Sequence, residues 1–224
     1  MKKLLAETAG TFVIVFFGTG TIVFSEDFDG IIQNLGISFV FGVSVTVAIL
    51  AFARISGGHF NPAVTIGLVT AGKFPLRKSL GYMVSQLAGA ILASIFLRVL
   101  SPTNELLGST IPHGSNLESF TWEFTMTFIL MAAVLLMVYT KTKLILLPAL
   151  IIGTVIFLEA YLGGPISGAS MNPARSVGPA LVSGNLNHLW IYLSAPTLGA
   201  IICAVFTRLS GSNKVKQFNQ KKSN

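Results

Sequence analysis

Charge is what this sequence has least of. Acidic and basic residues make up 10% of its 224 positions, where a soluble domain usually carries about 25%. That scarcity excludes an ordinary water-soluble globule, and the mean hydropathy of +0.75 agrees. Cysteine is nearly missing as well. Cys203 stands alone, so no disulfide can form within the chain, and it reads as a small lipid- or helix-facing residue. No cluster of ligand-type residues suggests a metal. His59 and His188 read instead as residues that satisfy loop hydrogen bonds. A net charge of +7 would point to nucleic acid in a soluble protein. Here the basic residues sit at the ends of apolar runs, so no nucleic-acid partner is expected.

What is present is a series of apolar runs. Leu4 to Phe24 follows Lys2 and Lys3. It is too long for a signal peptide, is interrupted by Glu7, and lacks a clean cleavage site. It is predicted to be a first transmembrane helix. Further spans are predicted at Ile31–Ala53, Ser79–Leu100, Ser119–Thr140, Leu144–Leu162 and Leu189–Leu209. The longest polar connection, Ser101 to Glu118, is rich in turn formers. Lys141-Thr142-Lys143 makes a tight link. A single transmembrane domain is read over 1–209, and the Lys-, Gln-, Asn- and Ser-rich tail over 210–224 as a disordered cytoplasmic segment.

Two stretches stand out between the spans. Ser56-Gly57-Gly58-His59-Phe60-Asn61-Pro62-Ala63 is answered by Ser167-Gly168-Ala169-Ser170-Met171-Asn172-Pro173-Ala174, and the two Asn residues lie 111 positions apart. Asn is a strong N-cap and Pro favours the first helical position, so each box reads as a helix start. The apolar run behind each is about ten residues, or roughly 15 Å of helix, half of a bilayer core. Other echoes support a duplication. Glu7…Thr11-Phe12 matches Glu123…Thr127-Phe128, Gly42 matches Gly153, and Tyr82…Gly89-Ala90 matches Tyr192…Gly199-Ala200. Each half, about 4–100 and 119–209, holds three spans and a half-span. An odd number of spans inverts the second half, so the half-helices enter from opposite faces and their N-termini meet near the midplane. Lys2, Lys3, Arg54, Lys73, Arg77, Lys78, Lys141, Lys143 and Arg208 fall on one side. Glu26, Asp27, Asp29, Glu105 and Glu118 fall on the other. The positive-inside rule makes both termini cytoplasmic.

Two Asn-Pro-Ala boxes in a duplicated apolar chain, the second followed by Arg175, resemble the aquaporin (major intrinsic protein) family. The resemblance runs from about Leu4 to Leu209. Gly-Gly-Pro-Ile-Ser-Gly-Ala-Ser-Met-Asn-Pro-Ala-Arg-Ser and Tyr192-Leu193 are similar to the nodulin-26-like branch. The resemblance implies an all-α membrane protein of six transmembrane helices and two re-entrant half-helices. It also implies a homotetramer with one pore per subunit, and no enzyme activity or cofactor. Family spacing places an outer selectivity filter at Phe41, Ala160, Ala169 and Arg175. It implies that Glu7 and Glu123 brace the two loops. Phe41 departs from the nodulin-26-like branch, where Trp or a small residue is more usual. Ala160 stands where strict water channels place His, and Ser176 where glycerol facilitators place Asp.

The residues support a pore on their own terms. Non-helical backbone at membrane depth survives only where protein buries it or a cavity wets it. The Gly-rich approaches, including Gly163 to Ala169, are read as such backbone. Carbonyls of Gly57, Gly58, His59, Gly168, Ala169 and Ser170 can line a path as acceptors. Asn61 and Asn172 cap their helices through oxygen, which leaves the side-chain NH2 free as a donor beside two positive helix ends. Neutral oxygens are welcome at that point and cations are not. The reading is a passive channel in the cell membrane for water and small uncharged solutes of the glycerol, urea and boric or arsenous acid type, closed to ions and protons. A strictly water-selective aquaporin is the alternative. A secondary transporter would need a coupling-ion site that the midplane lacks, and a scaffold protein would show longer outer loops. Glu159 is placed near the outer vestibule, without an assigned role.

Overall fold

The computed structural model describes residues 1–140, 142 and 144–210 in full, and the backbone alone of 211–223. Among them are six helices long and apolar enough to cross a membrane. In chain order they are α1 (Lys2–Asp27), α2 (Asn34–Ser56), α4 (Leu76–Leu100), α5 (Asn116–Thr140), α6 (Leu146–Ser167) and α8 (Leu189–Ser223), the last being apolar over Leu189–Ser210. Two short helices, α3 (Pro62–Thr70) and α7 (Pro173–Ser183), stand between them. Helices of 22 to 26 residues span about 33–39 Å, enough for a hydrocarbon core of about 30 Å. They overrun most predicted ends because helical hydrogen bonding continues past the last apolar side chain. The backbone of α8 continues to Ser223, where the sequence predicts a disordered tail. That stretch lacks proline and is rich in Lys and Gln, both good helix formers. Its side chains, and the link at Lys141 and Lys143, lie outside the described residues.

Two elements differ from the sequence reading. The backbone of Gly163 to Ser167, predicted to be non-helical, completes the last turn of α6, and the left-handed Gly168 ends it. Pro165 inside this turn cannot donate to the carbonyl of Tyr161. Asn34 Nδ2 donates to that oxygen instead, at 2.7 Å, so the helix tolerates its proline. The second difference is in α1, where Val15–Thr19 forms a π turn between α-helical Lys2–Ile14 and Gly20–Asp27.

The packing is paired. α1 lies against α2 and α4, and α5 lies against α6 and α8 in the same way. A Cβ added at Gly89 would overlap the Thr8 carbonyl oxygen and stand 3.1 Å from Phe12 N. One at Gly199 would overlap the Phe124 carbonyl oxygen and stand 3.1 Å from Phe128 N. Glycine therefore permits the same backbone contact in both halves. α2 and α6 join the halves, with Gly42 and Gly153 face to face. The short helices are exchanged: α3 packs on α8 of the second half and α7 on α4 of the first.

Candidate functional site

Asn61 and Asn172 begin α3 and α7 as the sequence requires. Asn61 Oδ1 accepts from Ala63 N at 2.8 Å and Val64 N at 3.4 Å, and Asn172 Oδ1 accepts from Ala174 N at 3.0 Å. Pro62 and Pro173 take the first helical positions. The amide nitrogens depart from expectation. Asn61 Nδ2 donates to Met171 O at 2.7 Å, and Asn172 Nδ2 donates to Phe60 O at 2.9 Å. One N–H of each amide is therefore used to clasp the opposite loop, and one is left over. The NH2 groups are half free, because the facing carbonyls lie within reach once the two helix starts meet.

Those carbonyls belong to strained residues. Phe60 has φ of 48° and Met171 of 54°, a left-handed conformation that costs a non-glycine residue roughly 1–2 kcal/mol. Each is held at both ends. Phe60 N donates to Glu7 Oε2 at 2.8 Å, and Met171 N donates to Glu123 Oε2 at 2.8 Å. Glu7 and Glu123 are wholly buried. Glu7 also accepts from Ser56 Oγ, His59 N and Gln86 Nε2. Glu123 also accepts from Ser167 Oγ and Ser170 N. Tyr82 OH donates to Ser56 O and Tyr192 OH to Ser167 O, both at 2.7 Å. His59 Nδ1 lies 3.1 Å from Thr65 Oγ1 on the first turn of α3. With the loops anchored through N–H groups, the carbonyls of Gly57, Gly58, His59, Gly168, Ala169 and Ser170 accept no hydrogen bond among the described residues. All six residues line cavities.

Two cavities adjoin among the described residues. One, of about 240 Å³, extends from Met137 and Pro148 past Ile152 and Ile156 to both Asn residues. The other, of about 180 Å³, is bounded by Glu26, Asn34, Leu106 and His113. Four residues line both: Phe41, Ala160, Ala169 and Arg175. These are the four that family spacing singled out. Arg175 is 2% exposed. Its Nη1 donates to Gly108 O at 2.8 Å, and its Cζ stands 5.2 Å from the centre of the Phe41 ring, within cation–π range. Its Nε has no partner among the described residues. Ser176 lies behind this wall, bonded to Ser170 Oγ at 2.6 Å and Thr110 Oγ1 at 2.8 Å.

Glu159 lines neither cavity; it is buried, and neither carboxylate oxygen has a hydrogen-bond partner among the described residues. The vestibule position expected for it does not hold, because on α6 it lies beside, not on, the stripe Ile152–Ile156–Ala160. Among the described residues no group of three or more His, Cys, Asp or Glu could hold a metal ion. Sequence reasoning missed the parts played by Phe60, Met171, Ser56, Ser167 and Gly108. The serines and the large apolar residue before each Asn were visible as repeated positions. Nothing in their residue types announced a hydroxyl brace or a left-handed backbone.

The chain matches the family described as Major intrinsic protein over residues 1–206. Nodulin-26 of Glycine max is 43% identical over 202 residues, covering 90% of this chain and 74% of the relative. Aquaporin NIP1-2 of Arabidopsis thaliana is 38% identical over 209 residues, covering 90% and 71%. The X-ray structure of the aquaglyceroporin from Plasmodium falciparum superimposes with a TM-score of 0.85 at 26% identity, over 92% of this chain and 95% of that one. The fold and paired boxes define a membrane channel, not an enzyme. The chain belongs to the major intrinsic protein family and stands with its nodulin-26-like aquaporins.

Proposed function

We propose that the chain is a passive transmembrane channel for water and small uncharged solutes of the glycerol, urea and undissociated boric or arsenous acid type, closed to ions and protons. One observation carries this reading: the two cavities share only Phe41, Ala160, Ala169 and Arg175. That set is one apolar ring, one cationic donor and two methyl groups. It selects by size and donor geometry, and the alanines leave room beyond a single water. Relatives named as aquaporins, and a structural neighbour named as an aquaglyceroporin, support the same class.

In this reading α3 and α7 are re-entrant half-helices whose N-terminal ends meet at the midplane. The remaining N–H of Asn61 and of Asn172 donates to a passing oxygen. The positive helix ends repel cations and interrupt proton hopping. The six unbonded carbonyls supply acceptors, and Glu7 and Glu123 brace the loops. Both termini are cytoplasmic, and the apolar outer surface sits in a lipid bilayer as a homotetramer with one pore per subunit.

Stopped-flow swelling of proteoliposomes tests the reading, with water, glycerol, urea and boric acid compared side by side. Water and at least glycerol and urea should pass well above protein-free vesicles. A protein that passes water and excludes glycerol and urea is the strict water channel instead.

A further inference from the structure

The π turn in α1 has no part in the reading so far, yet it lies behind the four shared residues. A π turn widens the helix by one residue, and such turns are frequent at functional sites. This one delivers Gly18 and Thr19 to the interior, and both are buried. A Cβ added at Gly18 would overlap Cδ1 and Cε1 of Phe41 and stand 2.9 Å from its Cγ. The bare backbone of Gly18 is thus the seat of the Phe41 ring. Thr19 lies under the other wall. A Cβ at Gly108 would stand 2.7 Å from Thr19 Cγ2 and 3.1 Å from Thr19 O, and the Gly108 carbonyl holds Arg175 Nη1.

The turn also costs something. Thr11 and Thr21 on the same helix donate their hydroxyls to the carbonyl four residues back, Glu7 O and Phe17 O. Thr19 Oγ1, inside the π turn, is buried without a partner among the described residues. A regular helix would offer it the Val15 carbonyl in the same way. The wider turn forgoes that bond, and it brings Gly18 against Phe41.

We propose that Gly18 is a positioning residue for the aperture between the two cavities: it sets how far the Phe41 ring stands from Arg175 and so how large a solute passes. This rests on the reading of those four residues as a size filter. A methyl at Gly18 has nowhere to go but into the ring. The ring's recorded neighbour across the opening is the Arg175 guanidinium, so displacement narrows the path.

The test compares water and glycerol flux in proteoliposomes for wild type, Gly18→Ala, Gly18→Ala/Phe41→Ala and Gly20→Ala. Gly20 is on the same helix, but a Cβ there would meet Leu97 Cδ2 at 3.0 Å and not Phe41. Gly18→Ala should lower the glycerol-to-water flux ratio on the order of tenfold, as expected when one methyl overpacks a tight site. The double variant should bring the ratio back to the wild-type value or above it, since removing the ring empties the space the methyl takes and takes down one wall of the aperture, and Gly20→Ala should leave it unchanged. An unchanged ratio in Gly18→Ala overturns the proposal, and so does a loss that the double variant fails to restore. If Gly18→Ala does not accumulate as folded protein, the double variant should; its failure to fold also overturns the proposal. Should wild type exclude glycerol, the solute range proposed above is wrong, and water flux becomes the readout. A fall in Gly18→Ala that recovers in the double variant still supports Gly18 as the ring's seat, and no fall refutes it.

Discussion

At the scale of the residue, the junction of the two Asn-Pro-Ala boxes is built from groups that each do two things. Asn61 caps α3 through oxygen and clasps Met171 O through nitrogen. Asn61→Asp keeps the cap, but it faces a carboxylate oxygen with a carbonyl oxygen. The expected cost is about 1–3 kcal/mol, as for a buried hydrogen bond turned unfavourable, read as a lowered unfolding midpoint in detergent. Cation conductance in planar bilayers should rise in the same variant, because the midplane then carries negative charge. An ion-tight Asn61→Asp protein would contradict the electrostatic barrier. Glu159 offers the opposite case. Its two buried oxygens have no donor among the described residues, so Glu159→Met should raise the midpoint, by an amount on the order of 1–3 kcal/mol. A fall would reveal a partner that stabilises the acid. The sequence made the Asn caps, Arg175 and the paired acids legible because polar groups are rare in apolar spans and therefore conspicuous. It could not reveal that Phe60 and Met171 adopt left-handed backbone, since neither residue type favours it.

At the scale of the element, six spans were readable from hydropathy alone, and their errors have physical causes that hydropathy does not carry. Gly163-Gly164-Pro165 carries the residues of a loop, yet it finishes α6 because Asn34, 127 positions before Tyr161, takes the role of the missing donor to the Tyr161 carbonyl. Such a partner is invisible to any local pattern. Asn34→Ala should therefore destabilise the wild-type protein by about 1 kcal/mol. In a Pro165→Ala background, where residue 165 regains its own N–H, the same change should cost less. A double-mutant cycle on thermal midpoints measures the coupling, and strict additivity would remove Asn34 from this account. The glycines that set helix contact make a matched pair. Gly89→Ala and Gly199→Ala each drive a methyl into backbone of the neighbouring helix. Both should lower stability by about 1–3 kcal/mol, and to a similar extent. The π turn of α1 left no trace in the sequence: Val15-Phe16-Phe17-Gly18-Thr19 reads as ordinary apolar helix.

At the scale of the whole molecule, the duplication was the most legible feature, because it is written in spacing and not in local preference. Glu7 and Glu123 stand in matching places and make matching bonds to matching loops. What spacing could not give is the exchange, in which each short helix packs on the far half. The proposed orientation has a direct check. Single cysteines at Asp29 and Lys78, both exposed, in a Cys203→Ser background, should label from opposite sides of intact cells, with Asp29→Cys the one reached from outside. Labelling of both from outside would refute the arrangement.

The crossed amide bonds have a bearing on how the chain comes together. Asn61 and Met171 are 110 positions apart, and Phe60 and Asn172 are 112 apart. While the first half alone has left the ribosome, Phe60 is asked to hold a left-handed turn whose carbonyl has no donor, and the Asn61 amide has no acceptor. The centre of the first half therefore cannot settle early, however well its three long helices insert. It waits for the last third of the chain to be made. Closing so long a loop carries an entropic penalty that grows only slowly with length, so the delay is a matter of order more than of energy. The two halves of the chain are bound into a single act of assembly, and each amide depends on a main-chain carbonyl that only the other half can bring to it.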